Sequence, residues 1–329
     1  MTTAFLFAAS VVLLVVAAEL FTNAVEWAGY HMRLARGATG SLLAAMGTSL
    51  PEFVVPIVAL IARGPSADSV AMGAVLGAPF LLLTVGSLVT AIAVLSRRGA
   101  RELRLDPRQP RRDLGVFLFA YPLALIAIVL PFAGRVAVGC FLLLVYVAYV
   151  LATLRGGIPE EEMPEPLHLV RWREGQPHPL AIALQLVVAV AMLVLGSQLF
   201  VTALNQAADA LRIPALVLAL IVVPLATELP ETMNSVLWVR SRDDPLAFGN
   251  IAGSATFQSC VLVFIGVIFT SWRPTTGAII GAILTLLTAA FLLVLLRNGR
   301  GSGLWLMCAG VPWVGYVVAQ AASGGRLGA

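Results

Sequence analysis

Apolar residues run along this chain in long blocks, and the polar positions between them divide it into ten segments, about 4–29, 38–62, 69–95, 114–132, 134–154, 179–208, 213–238, 245–270, 275–296 and 303–321. Blocks of about 20 apolar residues, without the alternation of a half-buried strand, predict helices that cross a bilayer. The connections are short except for two. Residues 96–113 are rich in arginine, and residues 155–178 are rich in proline and glutamate. The second stretch is predicted to be an extended, solvated linker. No basic residue precedes the first block, Glu19 interrupts it, and it continues helically to Trp27. It therefore reads as a permanent span and not as a cleaved leader.

Two of the blocks contain what a continuous membrane helix avoids. One holds Ala45-Met46-Gly47-Thr48-Ser49-Leu50-Pro51-Glu52, the other Pro224-Leu225-Ala226-Thr227-Glu228-Leu229-Pro230-Glu231. Proline removes a backbone donor and clashes with the preceding turn, so both helices are expected to break or bend there. A carboxylate at mid-bilayer costs roughly 2.5–3.5 kcal/mol on insertion scales, so each acid is expected to face a cavity or a cation.

The chain also repeats itself. A shift of 179 residues places Glu19-Leu20-Phe21 on Gln198-Leu199-Phe200, Thr48 on Thr227, and Leu50-Pro51-Glu52 on Leu229-Pro230-Glu231. A shift of 176 places Gly73 on Gly249 and Gly77 on Gly253. The implied unit has five spans, and because five is odd the second copy must enter the membrane upside down. The expected architecture is an all-α membrane protein of ten transmembrane helices in two inverted five-helix repeats, with helices 2 and 7 broken. Residues 1–154 form the first repeat, 155–178 a linker and 179–329 the second. Paired interrupted segments in matching halves point to a transport site near mid-membrane.

Composition agrees, with 60% hydrophobic and 12% charged residues. Soluble domains carry about 25% charged residues. All 21 basic residues are arginines lying mostly between spans, so the net charge of +4 does not point to nucleic acid. Sixteen of them fall in the connections after spans 1, 3, 5, 7 and 9. That bias predicts those connections to be cytoplasmic and both termini outside. The cluster Arg97, Arg98, Arg101, Arg104, Arg108, Arg111 and Arg112 dominates the count. It reads as a topology signal, with anionic lipid heads as a second possible role. Cys140, Cys260 and Cys308 are far apart and have no metal-ligand spacing. They are expected to be small buried hydrophobes.

Glu52 and Glu231 are the acids expected to meet across a pseudo-twofold axis. Two like charges at short range require a cation or a proton between them, and a hard cation that prefers oxygen ligands suits them. Thr48, Ser49 and Thr227 lie within one turn of the acids. Their hydroxyls could ligate a cation or bond back to their own helices. The carbonyls of Ala45 and Pro224, one turn earlier, are expected to be freed by the prolines. Asn250, Ser254 and Gln258 share one helix face at i, i+4, i+8, either lining an ion path or bonding a neighbouring helix. Span 3 keeps the glycines but has Ala74, Ala78 and Leu82 at the matching positions. Glu228, three residues before Glu231, is expected to restore charge to the cavity; its alternative is a polar cap facing a vestibule. Glu19, Glu26 and Asn205 either border an ion path or sit near headgroups. His31, His168 and His178 form no cluster in the sequence, and no resident cofactor is expected.

Gly-Thr-Ser-Leu-Pro-Glu at 47–52, its partner at 226–231 and Gly-Asn-x-x-Gly-Ser at 249–254 resemble the two α-repeats of the sodium/calcium exchanger family. The resemblance implies a prokaryotic inner-membrane antiporter that exchanges Ca²⁺ against Na⁺ by alternating access. It also implies that Glu52 and Glu231 ligate Ca²⁺, and that Thr48, Ser49, Thr227, Ser254 and the carbonyls of Ala45 and Pro224 ligate Na⁺ or Ca²⁺. The chain departs from the pattern at Ala74, Ala78, Leu82, Ala226, Glu228 and Gln258. These departures keep two alternatives open: a proton-coupled or monovalent-cation exchanger, and a member that no longer transports and serves as a sensor or scaffold. No nucleophile–base set or phosphate loop suggests an enzyme.

Overall fold

The computed structural model describes residues 2–31, 49–64, 66–99, 101–154, 164–170, 176–211 and 213–323. The described chain is almost entirely helical. In chain order the helices are α1 (Thr2–His31), α2 (Leu50–Ala62), α3 (Ala67–Ser96), α4 (Arg108–Val129) and α5 (Phe132–Leu154). There follow α6 (Pro179–Leu211), α7 (Ala215–Thr227), α8 (Leu229–Arg240), α9 (Asp244–Phe269), α10 (Thr276–Leu296) and α11 (Gly303–Ala322). Among the described residues, eight helices are long and apolar enough to cross a membrane. A ninth span results if α7 and α8, bent by 42° at their junction, count as one. The chain is thus a multi-pass integral membrane protein. The predicted span 2 is seen only from Ser49 onward, because residues 38–48 lie outside the described set.

α3 and α9 are enclosed on almost every side, whereas the other long helices keep broad outward faces. In a bilayer such faces meet lipid, so exposed apolar residues such as Leu144, Val187 and Leu287 cost nothing there. The same reasoning corrects the expectation for the cysteines. Cys260 is buried, but Cys140 and Cys308 lie on the outside, where an apolar solvent removes the need to bury them against protein.

The glycine pairs permit the tightest packing. A Cβ at Gly73 would lie 2.7 Å from the Leu216 carbonyl oxygen and from Ala219 Cβ. One at Gly77 would collide with the Leu220 carbonyl oxygen and sit 2.8 Å from Pro224. That carbonyl has no intrahelical donor, because Pro224, four residues on, lacks an N–H. Small residues four apart on α3 thus let the α7 backbone come to contact distance. In the other pair Gly249 is approached by the Gln109 side chain.

Both enclosed helices contain one π turn, at Leu82–Gly86 in α3 and Gln258–Leu262 in α9. The two turns are offset by 176 residues, the spacing already read from the glycines. A π turn takes one extra residue into the helix and re-aims the side chains beside it.

Two features lie outside what the sequence predicted. The arginine-rich connection contains a strand, β1 (Glu102–Arg104), paired antiparallel with β2 (Arg300–Ser302) in the register Leu103↔Gly301. Three-residue strands are too short to leave a periodic signal. In addition, residues 164–170 of the expected solvated linker are packed. Leu167 is buried with Ala24, Trp27 and Ile182, and the Glu165 carbonyl accepts from Trp27 Nε1 at 2.8 Å and Asn23 Nδ2 at 3.2 Å.

Candidate functional site

The site forms where α2, the α7–α8 junction and α9 converge. Pro51 and Pro230 occupy the first turns of α2 and α8, where a missing N–H costs no helical bond. Glu52 and Glu231 follow in those same first turns, at helix ends whose free N–H groups and dipole favour negative charge. Glu228 is the residue at the bend. It ends α7, and its own carbonyl accepts from Thr232 N at 3.0 Å to start α8.

These elements bring three carboxylates together. Oxygens of Glu52, Glu228 and Glu231 lie within 4.8 Å of one another, and the three residues are 1%, 0% and 0% exposed. Ser49 Oγ donates to Glu231 Oε1 at 3.0 Å. Gln258 Nε2, at the start of the α9 π turn, donates to Glu228 Oε1 at 2.7 Å. Asn250 Nδ2 donates to the Glu231 carbonyl at 2.9 Å and to Ser235 Oγ at 3.2 Å. The Ser235 hydroxyl lies 2.9 Å from that same carbonyl and 3.1 Å from the Ala247 carbonyl. The backbone of Glu231 is therefore held from two sides.

Several oxygens remain available. Both Glu52 carboxylate oxygens, Glu228 Oε2, Ser254 Oγ and Gln258 Oε1 are buried with no hydrogen bond in good geometry among the described residues. Buried polar groups are normally satisfied, and removing an ionised carboxylate from water costs several kcal/mol. Three such groups in one cavity need positive charge among them. The available donors are all oxygens, with no imidazole or thiolate, a set suited to hard cations. The α3 side of the cavity adds no side-chain ligand: Ala74, Ala78 and Leu82 are buried and apolar.

Several expectations change. The Pro224 carbonyl is not free, since it accepts from Glu228 N at 2.9 Å. A proline at 230 leaves the carbonyl four residues earlier without its donor, which is that of Ala226 and not Pro224. The Thr227 hydroxyl faces Glu52, yet donates to the Val223 carbonyl at 3.1 Å, bonding back into its own helix. Asn250 serves the helix-to-helix contact and leaves only its Oδ1 without a partner among the described residues. Glu19 is on the outer surface of α1, 60% exposed at its side chain and 3.2 Å from His168 Nε2, and does not join the carboxylates. Ala45 and Thr48 lie outside the described residues. Ser235 was not anticipated, although its place one turn beyond Glu231 on the same face was a usable signal.

A model of the family described as "sodium/calcium exchanger protein" matches residues 2–155 and 181–321. A relative named as a putative antiporter, CaxA of Alkalimonas amylolytica, is 26% identical over 300 residues, 88% of each chain. An uncharacterized membrane protein, MJ0091 of Methanocaldococcus jannaschii, is 23% identical over 249 residues, 75% of this chain and 76% of that one. Among solved structures, the H⁺/Ca²⁺ exchanger CAX aligns with a TM-score of 0.78 at 20% identity, covering 96% of this chain and 82% of its own. The sodium-calcium exchanger NCX_Mj aligns with a TM-score of 0.62 at 20% identity, covering 97% of both. With the family model spanning nearly all of both halves and the fold shared with two exchangers, this chain belongs to the sodium/calcium exchanger family.

Proposed function

We propose that the protein is a secondary antiporter that carries Ca²⁺, or a cation of similar hardness, through the Glu52–Glu228–Glu231 cavity against Na⁺ or H⁺. The observation that carries this reading is the convergence of three buried carboxylates within 4.8 Å. The exchanger and antiporter names of its relatives agree with it. Ser49 and Gln258 orient two of the carboxylates, while Glu52, Ser254 and the free oxygen of Gln258 complete an oxygen set. Thr48 and the carbonyl of Ala45 are further ligands implied by the motif.

The architecture proposed is ten spans in two inverted halves, 1–154 and 179–329, joined by 155–178. Equal offsets for the acids, the glycines and the two π turns support it. We place the protein in a prokaryotic inner membrane with both termini outside. Exposed Arg98, Arg101, Arg104, Arg108, Arg111, Arg240, Arg242, Arg297 and Arg300 gather at the end carrying β1 and β2, which supports that end as cytoplasmic.

Charge favours a role for a proton alongside Ca²⁺. Three carboxylates facing one divalent ion leave a formal charge of −1, and α3 offers no polar group to hold a separate Na⁺. In proteoliposomes, a pH or Na⁺ gradient is expected to drive ⁴⁵Ca²⁺ uptake, and Glu52→Gln and Glu231→Gln are each expected to abolish it. Full uptake in both variants would overturn the assignment. Uptake driven by a pH gradient with Na⁺ absent would select the proton-coupled form. Binding of Na⁺ or K⁺ with no competition from Ca²⁺ would select a monovalent carrier.

A further inference from the structure

The two enclosed helices are gripped at both ends by acids in equivalent positions. Asp244 opens α9, and Asp68 lies in the first turn of α3, 176 residues earlier. Each reaches the segment that leaves the other helix. Asp244, 4% exposed, accepts from Arg97 Nη1 at 2.6 Å, Arg97 Nη2 at 3.1 Å and Arg104 N at 2.8 Å, just past the end of α3. Asp68 accepts from Ser271 N at 2.7 Å and Ser271 Oγ at 2.6 Å, just past the end of α9. The start of each helix is thus tied to the end of the other, so α3 and α9 run antiparallel.

Both clamps use both carboxylate oxygens, and both bind a backbone N–H as well as a side chain. A backbone donor fixes the height of a segment along the helix axis, which a flexible side chain alone does not. Between the clamps lie the two π turns, and the second begins at Gln258, the partner of Glu228. A helix with an inserted residue can relax by sliding or unwinding at a free end. With both ends tied, the displacement is confined to the middle, where α9 carries Asn250, Ser254 and Gln258.

We infer that Asp68 and Asp244 are positioning residues. As mirror-related clamps they set the axial register of α3 against α9, and through it the placement of Gln258 and Ser254 on the three carboxylates. Neither clamp touches the cation. Its transport consequence rests on the exchanger reading, but the register itself does not.

The experiment uses Cys260, which is buried inside the α9 π turn, as a register probe. In a Cys140→Ser, Cys308→Ser background it is the one remaining thiol. Asp68→Ala is expected to raise its labelling rate by N-ethylmaleimide about tenfold, the change produced by a 1.4 kcal/mol shift in local opening. It is also expected to raise the Ca²⁺ KM of uptake severalfold with little change in maximal rate. Asp68→Asn, which keeps an acceptor for Ser271 N, is expected to restore most of both. Asp244→Asn tests the other end with the same two readouts. Should Asp68→Ala destabilise the protein too far to purify, Ser271→Ala removes one of the same two bonds. Wild-type labelling and KM in these variants, with or without a lower melting temperature, would overturn the inference. A wild-type protein that shows no Ca²⁺ uptake while the labelling rates still rise would instead overturn the exchanger reading and leave the clamps standing.

Discussion

Glu228 is the residue that most distinguishes this site. Its backbone makes the bend, its Oε1 takes the Gln258 amide at 2.7 Å, and its Oε2 remains buried with no partner among the described residues. A carboxylate held in this way weakens the fold unless a bound cation uses it, because breaking the compensation of a buried charge costs several kcal/mol. Glu228→Gln is therefore expected to move two properties in opposite directions. Ca²⁺ affinity falls by about tenfold or more, equivalent to at least about 1.4 kcal/mol. The cation-free melting temperature rises by a few degrees, on the order of 1 kcal/mol. Paired uptake and thermal-shift measurements check this, and a variant that loses stability while keeping affinity would make Glu228 a structural cap. The acids, Ser49 and Gln258 were legible in the sequence because buried polar groups in apolar blocks need a reason to be there. The state of the Pro224 carbonyl and the Thr227 hydroxyl was not, since each depends on which backbone group lies within 3 Å once the helices have bent.

At the scale of elements, the close approach of α3 to α7 rests on two absent side chains. Gly77→Ala would drive a methyl into the Leu220 carbonyl and Pro224. Overpacking of this kind costs about 1–3 kcal/mol. It is expected to lower the melting temperature and, by pushing apart helices next to the site, to weaken uptake. Gly115 on α4 provides the control, with nothing within 4 Å of an added Cβ. Gly115→Ala is expected to leave uptake unchanged and to stabilise by about 0.4–1 kcal/mol, the usual gain for glycine in a helix interior. Equal stability of the two variants would disprove the proposed contact. The glycine spacing in the sequence correctly announced close packing, but it could not name the partner. Gly73 and Gly77 meet the α7 backbone, whereas Gly249 meets the Gln109 side chain. The strand pair β1–β2 was invisible for a related reason. Glu102 and Arg300 are 198 residues apart, and only the fold brings them together.

For the molecule as a whole, a ligand that binds the folded form and not the unfolded one raises apparent stability, by about 2.7 kcal/mol at a hundred times its dissociation constant. Added Ca²⁺ is expected to raise the melting temperature of the purified protein progressively with concentration. Glu52→Gln and Glu231→Gln should each remove that response while folding normally. A response that survives both substitutions would mean the ion binds elsewhere, for instance near the surface acids. The sequence by itself determined that this chain crosses a membrane many times, where its helices run, and that two acid-bearing bends are its chemistry. Hydrophobic block length and the insertion cost of a carboxylate are local properties, readable one segment at a time. Only the tertiary structure decided that Glu52, Glu228 and Glu231 share one cavity, that Glu19 does not, and that α3 and α9 are tied end to end by Asp68 and Asp244. Those facts concern distances between residues more than a hundred positions apart, and such distances are set by packing the helices together.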